Sequence, residues 1–142
     1  MNVSADNNSI SLQKLTAALL TEKHKVKVRL GGSSMYPYLK DGDMATIEPF
    51  DLEKLEIGSV VVFRRNNRWF AHRLLKKEDG YLLTKGDAVF RKDPPVSHCD
   101  YLGLVIGIER NGKNKDTTSP SSVRRNRIRA FFSGIIPFLR YF

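Results

Sequence analysis

The chain has 142 residues, enough for one domain with a real core, and its apolar share of 41% excludes a wholly disordered protein. Lys and Arg number 24 against 15 Asp and Glu, a net charge of +9. That points to an acidic partner surface, nucleic acid or anionic lipid, without choosing between them. A single cysteine, Cys99, excludes an intramolecular disulfide.

The first nine residues are polar, with Asn2, Asp6, Asn7 and Asn8, and fit no secretory signal. From Ser9 to Glu22 the apolar residues Ile10, Leu12, Leu15, Leu19 and Leu20 fall at helical spacing, with Ser9 or Ser11 as cap. Gln13, Lys14 and Glu22 interrupt this segment, so it is too short and too polar to span a bilayer.

Strand patterns follow. Val26, Val28 and Leu30 alternate with Lys25, Lys27 and Arg29, the mark of a half-buried strand. Met44 to Glu48 is a second strand, stopped by Pro49, and residues 51–56 form a connector with a helical turn. The run Val60, Val61, Val62, Phe63 reads as a strand buried on both faces. Asn66-Asn67 signals a hairpin into a strand from Arg68 to Leu75. Its Trp69, Ala71 and Arg73 face one way, and Phe70, His72 and Leu74 the other. Asp79-Gly80 marks a further hairpin into Tyr81 to Thr84, and Pro94-Pro95 breaks the chain. A last apolar strand runs from Tyr101 through Ile108, where Gly103 and Gly107 signal a bulge or bend. No internal repeat, P-loop or dinucleotide fingerprint is present. The order of elements predicts a mainly β domain, an open barrel or packed sheets, behind a short N-terminal helix.

Candidate chemistry gathers on the turn GGSSMYPYLKDGD, from Gly31 to Asp43. Such a turn can present a serine hydroxyl to solvent, although Gly, Ser, Pro and Asp are also ordinary turn residues. A serine needs a base to take its proton as the new bond forms. His72, in the middle of its strand, has the right intrinsic pKa for that task, and Asp87, after Gly86, could fix the imidazole tautomer. A histidine in a strand is equally a packing residue, and an aspartate after glycine equally caps its own turn. Spacing alone leaves the choice open.

The order of blocks narrows it. SSMYPYLKDGD (Ser33 to Asp43), GSVVVF (Gly58 to Phe63), AHRLL (Ala71 to Leu75), TKGDAVFRKD (Thr84 to Asp93) and YLGLVIG (Tyr101 to Gly107) together resemble the type I signal peptidase family, over about residues 25 to 110. The resemblance implies a signal-peptidase/LexA-like catalytic β-fold. Ser34, Met35, Pro37, Gly42 and Asp43 match the family's serine motif, which favours Ser34 over Ser33 as nucleophile. Where the bacterial branch and LexA-like repressors carry a lysine base, this chain has His72 followed by Arg73, similar to the endoplasmic-reticulum and archaeal branch. Asp87 and Asp93 match that branch's two acids. The resemblance implies Asp87 as the residue that orients His72, with Asp93 as second choice or structural support. It further implies an oxyanion and substrate cleft around Gly32, Ser33, Met35 and Tyr36, with Tyr38 nearby. Three departures stand out: family members usually begin with a membrane-spanning helix, the residue two before the nucleophile, often Ser or Thr there, is Gly32 here, and Tyr36 and Tyr38 put two bulky rings near the nucleophile.

Residues 113–123 are polar, with Pro120, and read as a linker after a catalytic domain at 25–112 and an N-terminal segment at 1–24. The tail at 124–142 opens with Arg124, Arg125, Arg127 and Arg129. Ile128, Phe132, Ile135, Leu139 and Phe142 then form a helical stripe, widened by Phe131, Ile136 and Phe138. Pro137 kinks it, and only about ten residues separate Arg129 from Arg140, too few to span a bilayer. The arginines cluster on its N-terminal side, which favours an anionic membrane surface over a helix packed on the domain. The expected location is therefore peripheral on a membrane, the cytoplasmic side being compatible with the absence of a signal or spanning segment. His98-Cys99-Asp100 lacks ligand spacing for a metal, so neither metal nor cofactor is expected.

The expected function is a serine endopeptidase cleaving a leader or signal peptide. The alternatives are a peptide- or membrane-binding module without turnover and a self-cleaving LexA-like regulator. His72 at the base position and the lack of a helix-turn-helix segment speak against the last and against nucleic acid as partner.

Overall fold

The computed structural model describes residues 7–133. Helix α1 (Asn7–Thr21) precedes eight strands: β1 (Val26–Arg29), β2 (Met44–Glu48), β3 (Val60–Arg65), β4 (Arg68–Glu78), β5 (Tyr81–Lys85), β6 (Val96–Ser97), β7 (Tyr101–Arg110) and β8 (Lys113–Asp116). Helix α2 (Pro120–Ser133) follows. The strands form one antiparallel sheet in the order β1-β2-β7-β3-β4-β5-β6, so the fold is mainly β as expected. Among the described residues no helix is long and apolar enough to cross a membrane.

β3 is the spine. All four residues from Val60 to Phe63 are buried, Val60 and Val62 in one apolar cluster with Met35, Leu39 and Trp69, and Val61 and Phe63 in a second with Leu74 and Leu82. Burying each such side chain stabilises the fold by roughly 1.5–3 kcal/mol, so the sheet is fixed from both faces. The β3–β4 hairpin turns at Asn66 and Asn67, both at positive φ as a tight two-residue turn requires. This sets His72 opposite Val61, on the face of the second cluster, and Arg73 opposite Val60, on the face of the first.

β7 crosses the middle of the sheet and is irregular where its glycines signalled. Against β2 the register skips Ile106, beside Gly107; against β3 it skips Leu102, beside Gly103. A Cβ on Gly103 would lie 2.7 Å from the Glu48 carbonyl oxygen. Each extra residue bends the strand.

The segment expected as a linker is structured instead. Asn111 and Gly112, both at positive φ, turn β7 into β8, which pairs Lys113–Asp116 with residues 107–110. Thr117 is buried, its hydroxyl donating to Val105 O at 2.7 Å. Ser119 then caps α2 by accepting from the Ser122 N–H, and Pro120 takes the first helical position, where its missing N–H costs nothing. The tail's Ile135, Ile136, Pro137, Phe138, Leu139, Arg140 and Phe142, and the polar start at residues 1–6, lie outside the described residues.

α2 seats its helix against the sheet's end at Gly58, where a Cβ would fall 2.5 Å from the Asn126 main chain. Its inward residues are Ser122, Asn126 and Ala130, four apart, while Arg124, Arg125, Arg127 and Ile128 are exposed.

Candidate active site

The turn after β1 is tied down before any chemistry is considered. Leu30 N–H donates to Asp43 O and Gly42 N–H to Leu30 O, both at 2.8 Å, closing the loop at its base. The Asp43 carboxylate, buried beneath it, accepts from Lys40 N–H and from two nitrogens of Arg110. Burial alone would raise the Asp43 pKa, but the Arg110 and Lys40 bonds outweigh it and hold the group below the usual carboxylate range. Met35 and Leu39 point into the core, and the Tyr36–Pro37 peptide is cis. Ser34 is half-buried on this anchored turn, between exposed Ser33 and buried Met35.

The turn from Gly86 to Val89 grips Ser34 from the other side. Ala88 N–H donates to Ser34 O at 2.9 Å, and Asp87 N–H approaches Met35 Sδ at 3.4 Å. Gly86 makes this approach possible, because a Cβ there would lie 2.6 Å from Ser34 O and 2.9 Å from Val89 Cγ2.

β4 brings His72 to the same place. Ser34 Oγ lies 3.0 Å from His72 Nε2, and His72 Nδ1 lies 2.6 Å from Asp93 Oδ2. A carboxylate only accepts, so the imidazole proton sits on Nδ1 and leaves the Nε2 lone pair for the Ser34 hydroxyl. Burial pushes the His72 pKa below 6.5, and Asp93 counteracts this only in part. The ring is 5% exposed and packs against Phe63 and Phe70, with centroids 5.9 and 5.8 Å away. Near neutral pH it is therefore an uncharged base. Burial would raise the Asp93 pKa, but the bonds from His72 and Thr84 and the charge of Arg65 bring it below the ordinary value, so it stays ionised. This is the arrangement by which a serine gains nucleophilicity at neutral pH.

Asp87 does not orient His72. Both of its oxygens take the Arg73 guanidinium, Nε at 2.7 Å and Nη2 at 2.6 Å, and Arg73 Nη1 donates to Gly58 O at 2.8 Å. The reason lies in the strand: Arg73 is fully buried on the opposite face of β4 from His72, and Asp87 meets it there. Asp93 reaches the imidazole because its own N–H returns to Thr84 O at 2.9 Å, which folds residues 86–92 into a loop beside β5.

Of the residues expected in the cleft, Gly32, Ser33 and Ser34 line an open hollow of about 450 Å³ together with Phe70, His72, Ala88 and Val89. The Gly32 N–H is already bonded to Asp41 Oδ1 at 2.9 Å, so it does not serve an oxyanion. Met35 is fully buried in the core and does not line the hollow. Tyr36 is 52% exposed but sits under Lys40, not at the hollow, and Tyr38 is buried beneath α2.

Four residues were not anticipated. Thr84 donates its hydroxyl to Asp93 Oδ2 at 2.6 Å, the same oxygen that holds His72. Lys85 is buried, with its ammonium 3.2 Å from Gly86 O. Ala88 and Val89 form the hollow's second wall. The TKGDAVFRKD block holds all four residues, but only the folded loop shows which way each points. Among the described residues no cluster of His, Cys, Asp or Glu is suited to a metal ion.

Residues 2–106, well over half of the chain, match the profile of the family described as Peptidase S24-like. No curated protein matches the chain.

Proposed function

The chain belongs to the Peptidase S24-like family, which carries serine-type peptidases on this kind of β-fold, and on that premise we propose that it is an endopeptidase of the signal-peptidase type that cuts leader peptides by a Ser34–His72–Asp93 mechanism. The observation that carries the reading is the continuous hydrogen-bond line from Ser34 Oγ through His72 to Asp93.

In this mechanism Ser34 Oγ attacks the scissile carbonyl while His72 Nε2 takes its proton. Asp93 stabilises the imidazolium that results. The oxyanion is held by main-chain N–H groups of the turn beyond Gly32, whose own amide is committed to Asp41. His72 then returns the proton to the leaving amine. Water, deprotonated by the same nitrogen, releases the acyl group from Ser34.

The walls of the hollow support the substrate class. Gly32, Ala88 and Val89 leave room beside Ser34 for a small side chain, and Phe70 makes the floor apolar. An extended leader with Ala, Gly or Ser before the cut fits these features.

The test is incubation with a panel of leader-bearing peptides, the products being read by mass spectrometry. Wild type is expected to cut after a small residue while remaining intact itself; Ser34→Ala and His72→Ala are expected to leave every peptide whole. An inert wild type across the panel would favour a binding module on the same fold, and cleavage of the chain itself would favour the self-cleaving regulator.

A further inference from the structure

On the face of the sheet that α2 covers, opposite His72, three cations converge on one aromatic ring. Arg73, Lys115 and Arg129 stand 4.5, 4.7 and 4.8 Å from the centroid of Tyr38. A ring has two faces, so at least two of these cations share one. Each gains from the ring's negative face, but like charges brought together repel. Arg73 is neutralised by Asp87. Lys115, on β8, and Arg129, on α2, have no carboxylate among their ion pairs in the described residues. Among the described residues Arg129 reaches Asn126 Oδ1 at 3.4 Å, and Arg125, one helical turn earlier, Ser122 Oγ at 3.1 Å. After Asp116 the sequence has no acid at all.

We propose that the seam between β8 and α2 is a binding site for a single phosphate group, held by Lys115, Arg125 and Arg129 over the ring of Tyr38. The two guanidiniums offer forked donors that match phosphate oxygens, and the ammonium adds a point charge. A bound dianion would relieve the crowding that the fold now leaves in place. The Lys115 pKa is lowered, first by burial and then by Arg129, Arg125, Arg110 and Arg73, so the charged neighbours acting on it are all cations. Arg124, Arg127 and Ile128 are exposed on the rest of α2, which would suit a phosphate carried in a lipid headgroup as well as a free one.

Binding is measured on full-length Ser34→Ala protein, so that the result stands apart from peptide cleavage. The probes are inorganic phosphate, vesicles of phosphatidylglycerol, vesicles of phosphatidylcholine and a duplex oligonucleotide. Saturable binding of phosphate or of phosphatidylglycerol vesicles is expected, weakened about tenfold or more by Lys115→Met with Arg129→Met. The charge-matched pair Arg124→Met with Arg127→Met is expected to weaken inorganic phosphate binding by no more than about twofold. Should the first pair melt far below the parent, Lys115→Met alone is read the same way. Phosphate binding without vesicle binding assigns a soluble ligand, and the converse a headgroup. No binding of either, equal loss in both pairs, or preference for the oligonucleotide over both overturns the proposal.

Discussion

Removing the carboxylate behind His72 while keeping its shape isolates what that charge contributes. Asp93→Asn is expected to lower kcat by about 10³–10⁴-fold with little change in KM, because the amide no longer holds the proton on Nδ1. Asp87→Ala should do the reverse. It strands the buried Arg73, so thermal or urea denaturation should show a loss of roughly 3–5 kcal/mol, while the surviving folded enzyme keeps most of its kcat. A large kcat loss from Asp87→Ala at unchanged stability would return the orienting role to Asp87. His72→Lys is expected to abolish turnover, since beside Asp93 the lysine stays an ammonium, with three donors and no lone pair to take the Ser34 proton. The pH profile follows from the depressed His72 pKa: the base must be neutral, so kcat/KM rises with pH through a midpoint below 6.5. A midpoint above 6.5 would mean that Asp93 outweighs burial. At this scale motif order singled out Ser34 and His72, which the fold sets 3.0 Å apart. It left Asp87 and Asp93 unresolved because both lie in one short block, and the choice depends on the Asp93 N–H returning to Thr84.

Two glycines govern how elements meet, and each makes a separable prediction. Gly86→Ala should push the added Cβ against Ser34 O, displacing the nucleophile and lowering kcat by about a hundredfold or more in a protein that still melts cooperatively. Gly58→Ala should act on α2 instead. Its φ of +93° is unfavourable for alanine, costing about 1–2 kcal/mol, and the Cβ meets the Asn126 main chain besides. Limited proteolysis should then cut before α2 sooner than in wild type; unchanged resistance would mean that the helix is held elsewhere. The strands with strong apolar patterns were legible, β3 above all, and so were the hairpins at Asn66-Asn67 and Asp79-Gly80. β8 was not. Its four residues are all exposed and polar, and only main-chain pairing with β7 makes them a strand. The inward face of α2 was hidden for a similar reason: Ser122 and Asn126 are polar residues that bury themselves by bonding Asp116 O and Thr117 O.

For the molecule as a whole, the shifted groups that titrate in acid push stability the same way. Asp43 and Asp93 have pKa values below 3.8, so their contribution is complete above that value and is lost as pH falls through the folded pKa values. His72 is held below 6.5, so the unfolded chain takes up that proton first, and stability already begins to fall as pH drops below 6.5. Thermal midpoints should therefore decline in two stages on acidification, with the first missing in His72→Gln. The single sheet is buried on both faces at β3, and the hollow beside Ser34 and His72 lies open. That overall layout was readable as a mainly β fold, whereas the joining of α2 to the sheet depended on close packing at Gly58, which no periodicity encodes. The most direct measurement is intact-protein mass spectrometry after treatment with a fluorophosphonate, which reacts with an activated serine. A single adduct is expected, mapped to Ser34, absent in Ser34→Ala and His72→Ala and much slower in Asp93→Asn. Labelling that survives in His72→Ala, or a wild type that takes up no label, would contradict the proton relay from Ser34 to Asp93.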